Sequence, residues 1–310
     1  FGRRFYWAVL RRSFGLPVAE QVHSHEVWGA RIFMSCTFLC TAMMVFYGLP
    51  WPFAVAYMFM IIAFYVGVSR VVAQTGLFIM KPAWVPHILL LGLFGSYSLG
   101  PSAALFSMML SAVLFAEARE TVMPYMVNSL SLLDREGEGD RIGRIAAWSV
   151  AAATIGLVIG LVVTLYLQYD HGTDMAAGGW FTRTVPTYPF EISTDIAQRL
   201  KGQGMLESSD ALTPFGRLLA LRPEPTFAVS FVIGALLVVG CYLGRLRIKG
   251  WPIHPAVFLL WSWSHCAKLT FSFFLGWAIK TAVTRYGGWR MVQKVRPVMI
   301  GLIAGDMLGA

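Results

Sequence analysis

The feature that most constrains this chain is the length of its charge-free runs. Ile32 to Ser69 passes 38 residues without an acid, lysine or arginine, Pro82 to Ala116 passes 35, Ile145 to Tyr169 passes 25 and Thr226 to Gly244 passes 19. A helix rises about 1.5 Å per residue, so about 20 apolar residues cross a hydrocarbon core. Only 13% of the residues are charged, against a soluble norm of about 25%. The runs are continuously apolar rather than alternating, which excludes a membrane β-barrel. The reading is an all-α, polytopic transmembrane helix bundle.

Four segments follow from punctuation and charge. Residues 1–27 carry Arg3, Arg4, Arg11 and Arg12 and read as a basic, interface-hugging cytoplasmic segment. Residues 28–168 read as a bundle of about five spans. They are broken at "GLPWP" by Pro50 and Pro52, and at "SLGPSA" by Gly100 and Pro101, between spans near 84–99 and 102–117. Residues 169–225, with seven acids and five bases, read as an extracytoplasmic loop in which "EISTDIAQRLKGQG" forms a short helix. Residues 226–310 read as the C-terminal membrane part. In all, about 8–9 spans or half-spans and one long extramembrane loop are expected.

The net charge of +9 does not point to nucleic acid. The basic residues lie between apolar runs, where loop Lys and Arg set orientation. With 1–27 in the cytoplasm, "RLRIK" (245–249) follows six crossings and is also inside. The loop from Lys280 to Arg296, with five basic residues and no acid, belongs inside too. An even number of crossings must then fit between Lys249 and Lys280. About 30 residues rise about 45 Å, against about 60 Å for two full spans. A re-entrant or broken helix hairpin near 250–280 is therefore expected, beside a cavity that shields its non-helical backbone.

That window, "GWPIHPAVFLLWSWSHCAK", also carries the candidate chemistry. Pro252 and Pro255 mark a break. A helix opening at Pro255 puts His254, Phe258, Trp261, His265 and Lys268 on one stripe. Histidines and a lysine on such a stripe face a cavity, or else Lys268 snorkels and the histidines bond backbone. In the cavity reading His254, His265 and Lys268 contact substrate or proton, and Trp261 packs the ligand. Arg70 and Gln74, followed by Gly76 as a possible hinge, either mark a membrane boundary or line the same path. Asp306 is the lone acid of the last apolar stretch. His254 and His265 stand about 16 Å apart along a helix, too far for one ion, so no metal site is expected. The sequence contains no phosphate-binding glycine loop, HExxH or Ser–His–Asp arrangement, and neither an enzyme nor a cofactor is expected.

The stretch "FSFFLGWAIKTAVTRYGGWRMVQKVRPVMIGLIAGDMLG", Phe271 to Gly309, resembles the closing segment of the oligopeptide-transporter family, including bacterial relatives of unassigned function. "WPIHPAVF" resembles the proline-flanked motif ahead of it, and "RVVAQTGLF" resembles an arginine-to-glycine segment in which the family often has an acid at the place of Gln74. The resemblance is carried by about 250–309, is weak over 60–120 and does not extend to 169–225. It implies a proton-driven secondary transporter of small peptides or metal chelates in the bacterial inner membrane, and a longer chain with further N-terminal spans. The rival expectation is a non-transporting accessory or scaffold subunit that meets other membrane subunits through 169–225.

Overall fold

A computed structural model describes residues 3–18, 22–75, 85–115, 122–135, 142–173, 180–255, 257–258 and 264–309. These residues form helices joined by short connections, with no strand among them. The chain divides into two compact units, 1–256 and 257–310.

In the first unit, α1 (Arg3–Ser13) is a short basic helix, followed by α2 (Ser24–Phe46). At the start of α2 the His23 backbone N–H donates to Glu26 Oε2 at 2.9 Å, so an orphan donor of the first turn is satisfied. The helix closes with the Gly48 N–H on the Val45 carbonyl and the Leu49 N–H on the Met44 carbonyl. Pro50 then leads directly into α3 (Trp51–Thr75), and Pro52 sits in its first turn, where a missing N–H costs nothing. The prolines of "GLPWP" thus separate two spans, as their position predicts.

Next come α4 (Pro86–Phe94), α5 (Ser96–Phe115), α6 (Val122–Arg135) and α7 (Ile142–His171). Over 180–225 the chain is folded rather than extended. It makes a single wide helical turn at Trp180–Thr184, then α8 (Val185–Gly202), α9 (Leu206–Asp210) and α10 (Pro214–Leu219). The expected helix at "EISTDIAQRLKGQG" is the C-terminal part of α8, which begins six residues earlier at a Val-Pro start. The unit ends with α11 (Pro225–Arg247).

Five of these helices, α2, α3, α5, α7 and α11, are long and apolar enough to cross a membrane. The core gathers where α2 ends and α3, α4, α5 and α8 meet. Leu49, Phe53, Ala54, Tyr57, Leu90, Leu99 and Ala104 are almost wholly buried there, with Ile196 and Leu200 of α8 packed on them. By contrast the apolar stretch of α7 buries nothing, and that of α11 very little. Apolar side chains facing outward along whole helices are the expected surface of a protein dissolved in lipid, where burial between helices brings no hydrophobic gain.

The second unit is α12 (Ser264–Gly309), interrupted at Gly288, which has φ +61° and ψ −173°. Its first segment runs unbroken from Ser264 past Lys280. Residues 250–254 are coil, so His254 is not on the helix that carries His265 and Lys268.

Candidate functional site

The half-length element of the first unit lies at 86–115. Helix α4 has nine residues, about 13 Å of rise, which is less than half a hydrocarbon core. The chain leaves it at Gly95 (φ +84°, ψ +155°), makes one turn through Ser96–Leu99 and breaks again at Gly100 (φ +73°, ψ +162°) before Pro101 opens the long arm. His87 at the start of α4 meets Ser107, one and a half turns or more into α5. The two arms are therefore antiparallel, a helical hairpin with its apex at 94–100. The sequence reading placed the turn at Gly100–Pro101 alone. Gly95 moves the first break five residues earlier, because only there can backbone approach the Arg222 carbonyl so closely: a Cβ on Gly95 would collide with it.

Breaking a helix twice frees backbone carbonyls, and at membrane depth each must find a donor. Helix α8 and the segment after it supply donors. Ser193 Oγ donates to the Pro101 carbonyl (3.0 Å) and Ser209 Oγ to that of Tyr97 (2.7 Å). Arg217 Nη1 donates to the carbonyls of Ser98 (3.0 Å) and Leu99 (2.9 Å), while Ser98 Oγ returns a hydrogen bond to the Arg217 carbonyl. The Arg222 and Glu224 N–H groups reach the carbonyls of Phe94 and Gly92. The Arg222 guanidinium also stacks on Tyr97 at 4.7 Å. Arg217 is buried, and burial lowers its affinity for the proton, with Asp210 acting in the opposite sense. Residues 193–224 thus form a folded cap on the hairpin apex.

Below the apex the interior is polar. The Tyr57 hydroxyl and Ser111 Oγ share a 2.8 Å hydrogen bond between α3 and α5. His87 Nδ1 lies 3.2 Å from Ser107 Oγ, which itself donates to the Ala104 carbonyl. All four side chains are essentially inaccessible, and further along α3 Ser69 Oγ is buried without a hydrogen-bond partner. An imidazole, a phenol and three serines thus lie inside an otherwise apolar bundle, and four of the five are held by hydrogen bonds. Small side chains at Ala103, Ala104, Ser107 and Ser111 allow the close helix approach that holds them.

The sequence candidates are described only in part. His254 is half-buried in the coil after α11, in the first unit, and its proton affinity is lowered first by burial and then by the Arg245 cation. Pro252 is exposed and Pro255 half-buried in the same coil. Arg70 is exposed on α3. Gln74 is in the last turn of α3, and His265, Lys268 and Asp306 are on α12, but their side chains lie outside the described part, as do Trp261 and Gly76 altogether. Among the described residues no cluster of three metal-ligating side chains occurs. Tyr57, His87, Ser107, Ser111 and Arg217 were not singled out from sequence. His87 had a signal, a histidine after proline in a run closed by "GSYSLGP"; Arg217, in a polar stretch 118 residues from its partners, had none.

All 310 residues match one family model, described as a family of unknown function, DUF6785. The chain belongs to that family. No curated protein and no solved structure matches it.

Proposed function

We propose that the chain is the membrane-embedded part of a proton-coupled secondary transporter, with the α4–α5 hairpin bordering the solute path. The observation that carries this reading is the half-length α4, with the buried His87 against Ser107 beside the Tyr57–Ser111 pair. Discontinuous helices whose ends and polar side chains meet inside the bundle are how transporters build sites near the bilayer midplane. A histidine side chain can take up and release a proton, which is what coupling proton to solute movement requires. Small peptides or metal chelates as solutes rest on the resemblance of 250–309 to oligopeptide transporters. The total of about 8–9 spans or half-spans belongs to the same proposal. So does a bacterial inner-membrane location with residues 1–27 in the cytoplasm, which the arginines of α1 and of the end of α11 favour.

The test is uptake by proteoliposomes of a peptide and chelate panel, with and without a pH gradient. Gradient-driven uptake that His87→Gln abolishes, while the protein still elutes as folded, supports the reading. No uptake of any member overturns it.

One observation favours a second reading, an accessory subunit of a larger membrane complex: the apolar stretch of α7 buries no residue within this chain. Stable co-purification of further membrane subunits, together with absent uptake, is the outcome that selects it.

A further inference from the structure

Helix α1 presents two adjacent stripes. At about 100° per residue Arg4 and Arg11 fall on one line, while Tyr6, Leu10 and Phe14 at spacings of four form the next, with Trp7 between the two. Ala8 and Ser13 face inward, with Ala8 packed near Val22 and Val27. The outward side is therefore aromatic, 71% exposed at Tyr6, 59% at Trp7 and 70% at Phe14, and bordered by exposed arginines. Between α1 and α2 runs a groove of about 890 Å³, lined by Arg4, Tyr6 and Leu10 on one side and Ala30, Phe33 and Met34 on the other. Its lining is mainly apolar with Arg4 as the cation among the lining residues, and Arg11 lies outside the groove on the same line of α1. Around it Arg31 is fixed by a 2.9 Å hydrogen bond to the Ser13 carbonyl, leaving the helix orientation set. The acid nearest in sequence among the described residues, Glu26, is engaged by the His23 N–H.

We infer that α1 and the first turns of α2 form a binding site for one anionic phospholipid, with an acyl chain in the groove against Leu10, Phe33 and Met34 and the phosphate at Arg4 and Arg11. Tryptophan and tyrosine rings at the headgroup level are the usual companions of such a surface helix. Arginine forks suit phosphate oxygens, and the groove offers no carboxylate to repel them. An acidic protein segment would match the arginines but leave the apolar groove empty, which is why a lipid fits better. The site is at the opposite end of α2 from the hairpin apex and stands whether or not the chain transports.

The full chain is reconstituted into vesicles containing brominated phosphatidylglycerol or brominated phosphatidylcholine, and the Trp7 emission is isolated by difference against Trp7→Phe. Quenching is expected to show a preference for the anionic lipid of about fivefold or more. The preference is expected to collapse in Arg4→Gln/Arg11→Gln and to persist in Arg4→Lys/Arg11→Lys, which keeps the charges at the same exposed positions. Equal quenching by both lipids, no quenching by either, or a preference untouched in the glutamine variant overturns the assignment.

Discussion

Arg217 Nη1 donates to the Ser98 carbonyl at 3.0 Å and to the Leu99 carbonyl at 2.9 Å, joining α10 to the apex of a hairpin 118 residues earlier in the chain. Both carbonyls lie beside the break in the backbone at Gly100. Arg217→Ala removes both hydrogen bonds from a buried apex, and a loss of about 2–4 kcal/mol is expected. Arg217→Lys keeps the charge but not the planar donor group, and is expected to recover part of that loss. Thermal unfolding in detergent checks both variants; an unchanged midpoint for the alanine variant would show that solvent already satisfies the apex.

The two glycine breaks predict unequal responses. At Gly100 the positive φ alone costs a side chain about 1–2 kcal/mol, and the added Cβ meets the Arg217 guanidinium at 3.0 Å, where the side chain can yield. At Gly95 the obstacle is the Arg222 backbone, which is itself held by its N–H on the Phe94 carbonyl. Gly95→Ala is therefore expected to be the more damaging, by unfolding midpoint and by yield. Equal losses would mean that the 220–224 segment moves aside readily.

The membrane bundle was readable from sequence because charge-free runs of 19 to 38 residues leave a chain few alternatives. The hairpin was half readable. Gly100–Pro101 announces a turn, but Gly95 sits in an apolar stretch where a glycine is unremarkable, and only the approach of Arg222 gives it meaning. The polar interior was harder still. Tyr57, Ser107 and Ser111 are ordinary residues in apolar runs, and their pairing depends on how α3 and α5 are turned toward each other. Arg217 was invisible because its partners are backbone atoms, which carry no residue-specific signature. Composition drew attention to 250–268 because rare residues cluster there, and most of the side chains of that window lie outside the described part.

Within the interior, the Tyr57–Ser111 hydrogen bond is the contact most open to a clean measurement. Tyr57→Phe and Ser111→Ala each remove one hydroxyl with little change of volume. Single losses of about 1 kcal/mol are expected, since interhelical hydrogen bonds in membranes are modest. The informative quantity is the double-mutant cycle, in which a coupling of about 0.6–1.7 kcal/mol is expected. Strict additivity in reversible unfolding would show that the two hydroxyls do not interact in the bilayer.

His254 provides a pH prediction outside the spans. Its proton affinity falls below the ordinary value of 6.5, first through burial and then through Arg245. A depressed histidine binds its proton more weakly when folded than when unfolded, so it weakens the fold once pH drops below about 6.5 and has no effect above it. A titration of ring resonances in labelled protein, with His254→Asn to assign the signal, is expected to give a midpoint below 6.5. Arg245→Gln is expected to raise that midpoint without restoring it fully, because the larger cause, burial, remains. A midpoint at or above the ordinary value in the unaltered protein would mean that the coil after α11 opens to water. Full restoration by Arg245→Gln would reverse the order of the two causes and make the end of α11 an electrostatic rather than a burial effect.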